Sequence, residues 1–254
     1  MSLSFAKPTT RTIIRTLIPI GTALLAFVVT GFLLLAGGFD PLEAYGLILQ
    51  GSVGGVREGG ETLVRTTSLL LTGLAVGFAF RCKVWNIGAE GQLYFGAIGA
   101  VVIALTVAGQ IPVFGVIIAI IFAMIFGAGW AAIAGVLKSR LGVNEIIVTV
   151  MLNFIAILFV DFLVHGALKA PGFEPQTALI PLTSQLPILI EGTRFHAGFL
   201  VAIAAAVLIY LILFKTKTGF SLRATGVNPK ASGYAGINVK RSILLTLLIS
   251  GAVA

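Results

Sequence analysis

Two polar stretches that interrupt long apolar runs carry much of the candidate chemistry of this sequence. The first is VWNIGAEGQ, where Asn86, Glu90 and Gln92 could hydrogen-bond to a polar solute and two glycines permit a bend. A helix break inside a membrane frees backbone groups, so it persists only against protein or beside a water-filled cavity. The stretch is therefore a candidate part of a solute pathway, and a plain cytoplasmic hairpin is the alternative.

The second stretch is NEIIVTVMLN, residues 144–153. Asn144 and Glu145 stand where a helix should begin, and the helix dipole favours a carboxylate there. Asn153 lies eight residues past Glu145, about 12 Å further along the helix axis and near the bilayer midplane. Thr149 precedes Asn153 by four residues and shares its helix face. Such a polar pair faces the bundle interior, where it either binds a solute or ties helices together.

A third stretch, GFSLRATGVNPKASGYAG at 219–236, is polar and basic. Asn228 can cap a helix whose first residue is Pro229, since proline has no amide hydrogen to leave unpaired. Gly236 supplies a stop, because glycine adopts the left-handed conformation at little cost. The helix between them is about 10 Å long, too short to cross a bilayer. We expect it to lie at the cytoplasmic surface with one face open to a partner, and an ordered loop is the alternative.

The composition identifies the kind of protein that must position these stretches. The chain is 58% hydrophobic and 10% charged, with a mean hydropathy of +1.09, whereas soluble domains are about 25% charged. It is therefore an integral membrane protein. Its single cysteine, Cys82, excludes an internal disulfide.

Several classes of site are not expected. His165 and His196 have no cysteine or carboxylate at metal-ligand spacing, so no metal site is predicted. No phosphate loop of the GxxxxGK[ST] type occurs, so the chain cannot hydrolyse ATP by itself. No nucleophile and base stand at a plausible spacing, which argues against an enzyme. Asp161 is a functional candidate as an acid within a span, unless it lies hydrated at the outer interface.

The predicted fold is an all-α, polytopic transmembrane helix bundle with about seven spans, forming a single domain over residues 1–254. A loop is predicted at 38–61, with an apolar patch at 45–49 that dips into the interface. The last run is about half the length needed to cross. We therefore expect the chain to be incomplete, with at least two further spans missing. The predicted spans are 17–36, 63–80, 93–107, 113–137, 146–164, 199–214 and one that starts at 243.

The basic residues predict the orientation of the bundle. With the N-terminus in the cytoplasm, thirteen of the 17 basic residues fall inside, which is the positive-inside pattern. Because this charge follows the topology and forms no patch interleaved with aromatics, nucleic acid is not an expected partner. The thirteen are Lys7, Arg11, Arg15, Arg81, Lys83, Lys138, Arg140, Lys215, Lys217, Arg223, Lys230, Lys240 and Arg241.

WNIGAEGQ, GVNEIIVTVMLN and GFSLRATGVNPKASGYAGINV, in that order and spacing, resemble the permease subunits of ABC importers. This group includes simple-sugar, branched-chain amino-acid and nucleoside permeases, and the chain looks most like the nucleoside (guanosine-type) branch. The resemblance covers nearly the whole chain. It implies a multi-pass subunit in the bacterial plasma membrane that takes up nucleosides from a binding lipoprotein. It also implies ATPase subunits that bind the ATP, a second permease that is a related but different chain, and no cofactor on this chain.

The resemblance assigns roles to the polar stretches. Residues 219–236, within a cytoplasmic segment at 215–241, become the coupling segment that docks into a cleft of the ATPase. The elbow at 86–92 and the span that carries Asn153 border the translocation path. The implied path residues are Asn86, Glu90, Gln92, Thr149 and Asn153, and the implied coupling residues are Arg223, Gly226, Asn228, Pro229, Lys230, Tyr234, Ala235 and Gly236.

Two departures and several rivals accompany the resemblance. Members of the group usually have roughly ten spans, more than this chain contains. They also often have an alanine or small-residue pair where this chain has Ser232-Gly233. The extra glycine weakens a helix by up to about 1 kcal/mol. A simple-sugar or branched-chain amino-acid permease fits nearly the same residues. An ion-coupled secondary transporter would require buried acids near the midplane, where only Asn153 and Thr149 are found. A membrane scaffold would need neither the broken elbow nor the capped basic segment.

Overall fold

The computed structural model describes residues 10–111 and 114–254, with side chains from residue 17 onward except at 112 and 113. Lys7 and Val113, which enter the predicted orientation and fourth span, lie outside the described residues, as do the side chains of Arg11 and Arg15. The chain divides into two compact units, Met1–Gly59 and Gly60–Ala254, which are described separately.

The first unit contains two helices, α1 (Thr10–Ala36) and α2 (Pro41–Val53). The Tyr45 hydroxyl on α2 donates a hydrogen bond to the carbonyl of Phe27 on α1 over 2.6 Å. The two aromatic rings meet edge to face, with 5.6 Å between their centroids. α1 includes the predicted first span, and nearly all its described side chains are exposed, as befits a helix that faces hydrocarbon.

The loop predicted at 38–61 is wrong for most of that range, because α2 forms within it. Asp40 and Pro41 are a strong helix start. The Asp40 carboxylate accepts a hydrogen bond from the Leu42 amide over 2.8 Å, and Pro41 occupies the first turn, where no amide hydrogen is needed. The apolar patch at 45–49 is therefore part of a helix.

The second unit is helical throughout its described residues apart from its connections, and its first helix, α3, begins four residues before the unit boundary, at Val56. Within the described residues, six helices of the chain are long and apolar enough to cross a membrane. The predicted polytopic helical fold is thereby confirmed. The helices after α2 are α3 (Val56–Arg81), α4 (Ala89–Thr106), α5 (Gly115–Val136), α6 (Glu145–His165), α7 (Gly198–Lys215), α8 (Lys217–Val227), α9 (Pro229–Tyr234) and α10 (Val239–Val253).

α3 begins two turns earlier than the predicted span at 63–80. That start lies within the loop predicted at 38–61. Gly60 is instead a packing position: a Cβ on it would lie 2.8 Å from the Cβ of Thr193. Arg194 and Glu61 form an ion pair of 3.6 Å beside this contact. The helix start is therefore held by the connection between α6 and α7, which sequence periodicity does not reveal.

α5 and α10 approach each other closely through glycine. A Cβ on Gly127 of α5 or on Gly251 of α10 would overlap the backbone of the other helix. Small residues allow such contact, which maximises dispersion between membrane helices. α10, at 15 residues, is the element predicted as the start of a seventh span, and Leu247 on it is fully buried in the core. This packing places α10 inside the bundle.

Candidate functional site

The elbow between α3 and α4 is organised by two buried amide side chains, Asn86 and Gln92. The Asn86 amide nitrogen donates to Gln92 over 2.9 Å, and the Gln92 nitrogen donates back over 3.0 Å. The Asn86 oxygen also accepts from the Gly88 amide over 3.0 Å. Asn86 is 0% and Gln92 2% exposed. Because buried amides are costly without partners, this reciprocal pair fixes the bend.

Two further helices are tied to the same amide pair through Ser250 of α10. The Asn86 nitrogen donates to the Ser250 hydroxyl over 2.8 Å, and that hydroxyl donates to the carbonyl of Ala75 on α3 over 2.7 Å. Ser250 is fully buried. Its role was not predicted from the sequence, although Ser242, Thr246 and Ser250 recur every four residues on one helix face, the spacing of a buried polar stripe.

Asn153 on α6 satisfies two backbone groups that the elbow leaves free. Its side-chain oxygen accepts from the Gly91 amide over 2.8 Å, and its nitrogen donates to the Ile87 carbonyl over 2.9 Å. A Cβ on Gly91 would lie 2.9 Å from the Asn153 oxygen and 3.1 Å from the indole nitrogen of Trp130. That indole nitrogen is buried and has no hydrogen-bond partner among the described residues.

Thr149 and Glu90 are the other two residues that the sequence assigns to the path. Thr149 is fully buried, and its hydroxyl donates to the Glu145 carbonyl one turn earlier over 2.7 Å. Thr149 contacts the elbow by packing, since a Cβ built on Gly88 would lie 3.0 Å from the Cβ of Thr149. Glu90 is exposed in the first turn of α4. The structure therefore brings Asn86, Gln92, Thr149 and Asn153 together around the elbow and leaves Glu90 at its edge.

A buried carboxylate joins the elbow to the turn between α5 and α6. Glu145, only 5% exposed, forms an ion pair with Lys138 and accepts a hydrogen bond from the Trp85 amide over 3.5 Å. The helix start predicted at Asn144 and Glu145 is confirmed, and the Asn144 side chain caps it by accepting from the Ile146 amide over 2.9 Å. The sequence placed Glu145 at the helix start but did not identify Lys138 as its partner.

The short helix predicted in the basic segment is confirmed as α9. The Asn228 side chain accepts a hydrogen bond from the Ala231 amide over 3.1 Å, and Pro229 is the first helical residue. Gly236 adopts a left-handed φ of 81°. This conformation closes the helix with little strain, because glycine has no Cβ.

The expected weakness at Ser232-Gly233 does not prevent helix formation. Ser232 is buried, and its carbonyl accepts from the Ile237 amide over 2.9 Å in the closing turn. Lys230 and Tyr234 of α9 and the residue after it, Ala235, are exposed, and Tyr234 is 95% exposed.

The residues before α9 form α8, which packs against the start of the elbow. A Cβ on Gly226 would lie 2.7 Å from the backbone of Cys82. The guanidinium of Arg223 lies over the ring of Phe214 on α7, 5.0 Å from its centroid. Burial raises the pKa of the Cys82 thiol, against the opposing effects of Thr246 and Arg223. α8 is thus fixed to the elbow through Gly226 and turns Arg223 toward α7.

The second unit matches a family model described as branched-chain amino acid transport system, permease component, over residues 60–254. The chain belongs to this permease family. The guanosine ABC transporter permease protein NupP of Bacillus subtilis is 36% identical to it, over 94% of this chain and 69% of the relative. The nucleoside permease protein NupB of Lactococcus lactis is 32% identical over 94% and 68%, and the glucose permease protein TsgB13 of Haloferax volcanii is 34% identical over 93% and 65%. No solved structure matches the permease.

The match of the family model begins at the residue where the second unit begins. That unit contains the elbow, the α5–α6 turn and the α8–α9 segment, so the permease family is identified on the part of the chain that holds every candidate site. The resemblance inferred from the three polar stretches is thereby confirmed, and the permease is a multi-pass membrane protein.

Proposed function

We propose that this permease is the membrane-spanning subunit of an ATP-driven importer that takes up nucleosides delivered by an extracytoplasmic binding lipoprotein. The observation that carries the proposal is the similarity, over 94% of the chain, to two proteins named as guanosine and nucleoside permeases. A sugar is the second candidate, because a relative of nearly the same identity, 34%, is named as a glucose permease.

The proposed coupling segment is 215–241, with α9 as the element that docks into the ATPase. α9 is fixed at both ends, by the Asn228 cap with Pro229 and by the closing glycine at 236. It is therefore rigid enough to transmit a displacement of the ATPase. Lys230, Tyr234 and Ala235 provide its exposed face. Gly226 and Arg223 fix the preceding helix to the elbow and to α7, so a displacement of α9 is passed to the spans.

The proposed translocation path is bordered by the elbow and by α6. Asn86, Gln92, Thr149 and Asn153 use their polar groups within the chain, and we assign them the task of holding the elbow against α6 and α10. Glu90 is exposed and free to meet a polar solute. Support comes from the unpaired Trp130 indole nitrogen beside Asn153, a donor that a solute or water could satisfy.

The proposed partners are ABC ATPase subunits, a second permease and the binding lipoprotein. The same Lactococcus species has two distinct nucleoside permease proteins similar to this chain, NupB at 32% and NupC at 30% identity, which supports a pair of related but different permeases. The N-terminus is placed in the cytoplasm because the positive-inside rule then accounts for thirteen of the 17 basic residues. ATP binds to the ATPases, and this chain needs no cofactor.

Competition for uptake tests the proposed solute. The complete complex would be reconstituted in proteoliposomes with its binding protein and ATP, and uptake of radiolabelled guanosine would be measured against excess unlabelled nucleosides, glucose or branched-chain amino acids. We expect nucleosides alone to compete. Absence of guanosine uptake together with ATP-dependent glucose uptake would replace the nucleoside by the sugar and leave the permease assignment intact.

A further inference from the structure

An open apolar groove of about 380 Å³ runs along the outside of the second unit between α3 and α7. Its walls are mainly leucine, isoleucine and phenylalanine side chains. Gly73 and Gly77 leave its floor open, since a Cβ built on either one has no heavy atom within 4 Å. On α3 the lining extends from Leu69 to Arg81, about 18 Å at 1.5 Å per residue. Both helices are candidate membrane spans, so the groove lies at membrane depth.

One end of this groove is cationic. Arg81, the last residue of α3, is part of the lining, as is Phe214 in the last turn of α7. The Arg223 guanidinium lies over the Phe214 ring, 5.0 Å from its centroid. Among the side chains that the structure describes, no carboxylate forms an ion pair with either guanidinium. Two arginines without an acidic ion-pair partner therefore lie at this end of the apolar groove.

We propose that this groove binds one anionic phospholipid, with an acyl chain along Gly73 and Gly77 and its phosphate at Arg81 and Arg223. Arginine suits a phosphate because its planar guanidinium donates two parallel hydrogen bonds. The two unpaired positive charges favour an anionic headgroup over a zwitterionic one. The end of α3 at Arg81 is predicted to be cytoplasmic, so the lipid comes from the inner leaflet.

The charge at the end of the groove favours a lipid over a helix of another subunit. A phospholipid offers an acyl chain to the apolar lining and an anionic headgroup to Arg81 and Arg223. An apolar span of another subunit would leave both guanidinium groups without an anionic partner. The site does not depend on which solute the permease carries.

Photolabelling tests the proposal on the complete transporter in lipid nanodiscs. The probe is phosphatidylglycerol with a diazirine on one acyl chain, and labelled peptides are mapped by mass spectrometry. We expect labels at 69–81 and 209–214 that excess unlabelled phosphatidylglycerol removes and phosphatidylcholine does not. This competition needs no variant. Labelling that both lipids reduce equally, or labels spread evenly over the spans, would overturn the proposal.

Matched variants locate the site. Gly77→Leu places a side chain on the groove floor, where a Cβ has no heavy atom within 4 Å, and we expect about a tenfold loss of labelling. Gly129→Leu, at another open glycine on α5, should leave the labelling unchanged. Arg81→Gln should lower the preference for phosphatidylglycerol about fivefold, and Arg140→Gln, in the exposed α5–α6 turn, should not. Unchanged labelling of Gly77→Leu, or a photo-crosslinker at position 73 that captures another protein subunit, would overturn the lipid assignment.

Discussion

Asn86 and Gln92 bind each other through both ends of their amide groups, at 2.9 and 3.0 Å, inside the bend between α3 and α4. Six residues separate them, so their pairing closes the elbow on itself. Asn153 and Ser250 then attach this closed elbow to α6 and α10. These hydrogen bonds hold the elbow, α6 and α10 together, as the proposed alternating access by rigid-body motion would require.

Replacement of Asn153 by leucine should lower solute uptake while leaving the complex assembled. The substitution removes the partners of the Gly91 amide and the Ile87 carbonyl, and loss of the partly buried bond to the amide costs about 1 kcal/mol. Uptake into proteoliposomes and co-purification of the ATPase would be measured together. Phe154→Leu, at an exposed neighbouring position, is the control. Full uptake by Asn153→Leu would show that the contacts of Asn153 are not needed for transport.

Gly91→Ala should displace the elbow from α6. The added Cβ would lie 2.9 Å from the Asn153 oxygen and 3.1 Å from the Asn153 Cα, a backbone atom that cannot move aside. Overpacking of this kind costs about 1–3 kcal/mol. Thermal unfolding in nanodiscs should show a lower Tm, whereas Gly129→Ala, where nothing lies within 4 Å, should keep or raise it. Equal Tm values for the two variants would contradict the described approach of α4 to α6.

The Lys138–Glu145 ion pair should stabilise the joint between the elbow and the α5–α6 turn. Glu145→Gln leaves Lys138 unpaired and weakens the acceptor of the Trp85 amide. Because Lys138 is 30% exposed, we expect a modest coupling energy of about 1–2 kcal/mol. A double-mutant cycle with Lys138→Gln measures it from unfolding midpoints, and Arg140→Gln serves as the control. Additive effects of the two substitutions would mean that the pair contributes nothing.

The sequence predicts those features of the structure that depend on residues close together in the chain. The caps at Asn144 and Asn228 and the stop at Gly236 were predictable, because each depends on residues within one turn. The membrane spans followed from apolar length. The helix α2 was missed although its start at Asp40 and Pro41 is a local signal, and a loop was predicted at 38–61 instead.

The partners of the elbow could not be predicted, because they come from distant parts of the chain. Ser250 lies 164 residues from Asn86, and Asn153 lies 62 residues from Gly91. The close contact of Gly127 with Gly251 likewise depends on how two helices cross. The sequence indicated that Asn153 faces the interior, but only the folded structure shows which backbone groups it meets.

Cys82 should make stability depend on pH in the alkaline range. Burial raises the pKa of its thiol above the ordinary value of 9.0, so at pH above about 9 the folded chain keeps a proton that the unfolded chain loses. Stability conferred by the neutral thiol is therefore full below pH 9 and falls as the pH rises beyond it. The Tm difference between the wild-type protein and Cys82→Ala should shift against the wild type between pH 8 and 10. A difference independent of pH would contradict the buried thiol.

Two aspartates on the exposed face of α9, Tyr234→Asp and Ala235→Asp, should uncouple ATP hydrolysis from the solute. They place negative charge on the surface proposed to enter the ATPase cleft, where Tyr234 is 95% exposed. We expect at least a tenfold loss of solute-stimulated hydrolysis, with normal amounts of the permease in the membrane. Leu141→Asp, exposed in the α5–α6 turn, is the control. Unchanged stimulation in the double variant would assign coupling to another segment.

The most direct test of the central claim is ATP hydrolysis by the complete complex in lipid nanodiscs with its binding protein. Nucleosides, sugars and branched-chain amino acids would each be added as the only solute. We predict that nucleosides alone stimulate hydrolysis. A complex that contains no ATPase, or one whose hydrolysis responds to none of these solutes, would contradict the assignment of this permease to an ATP-driven nucleoside importer.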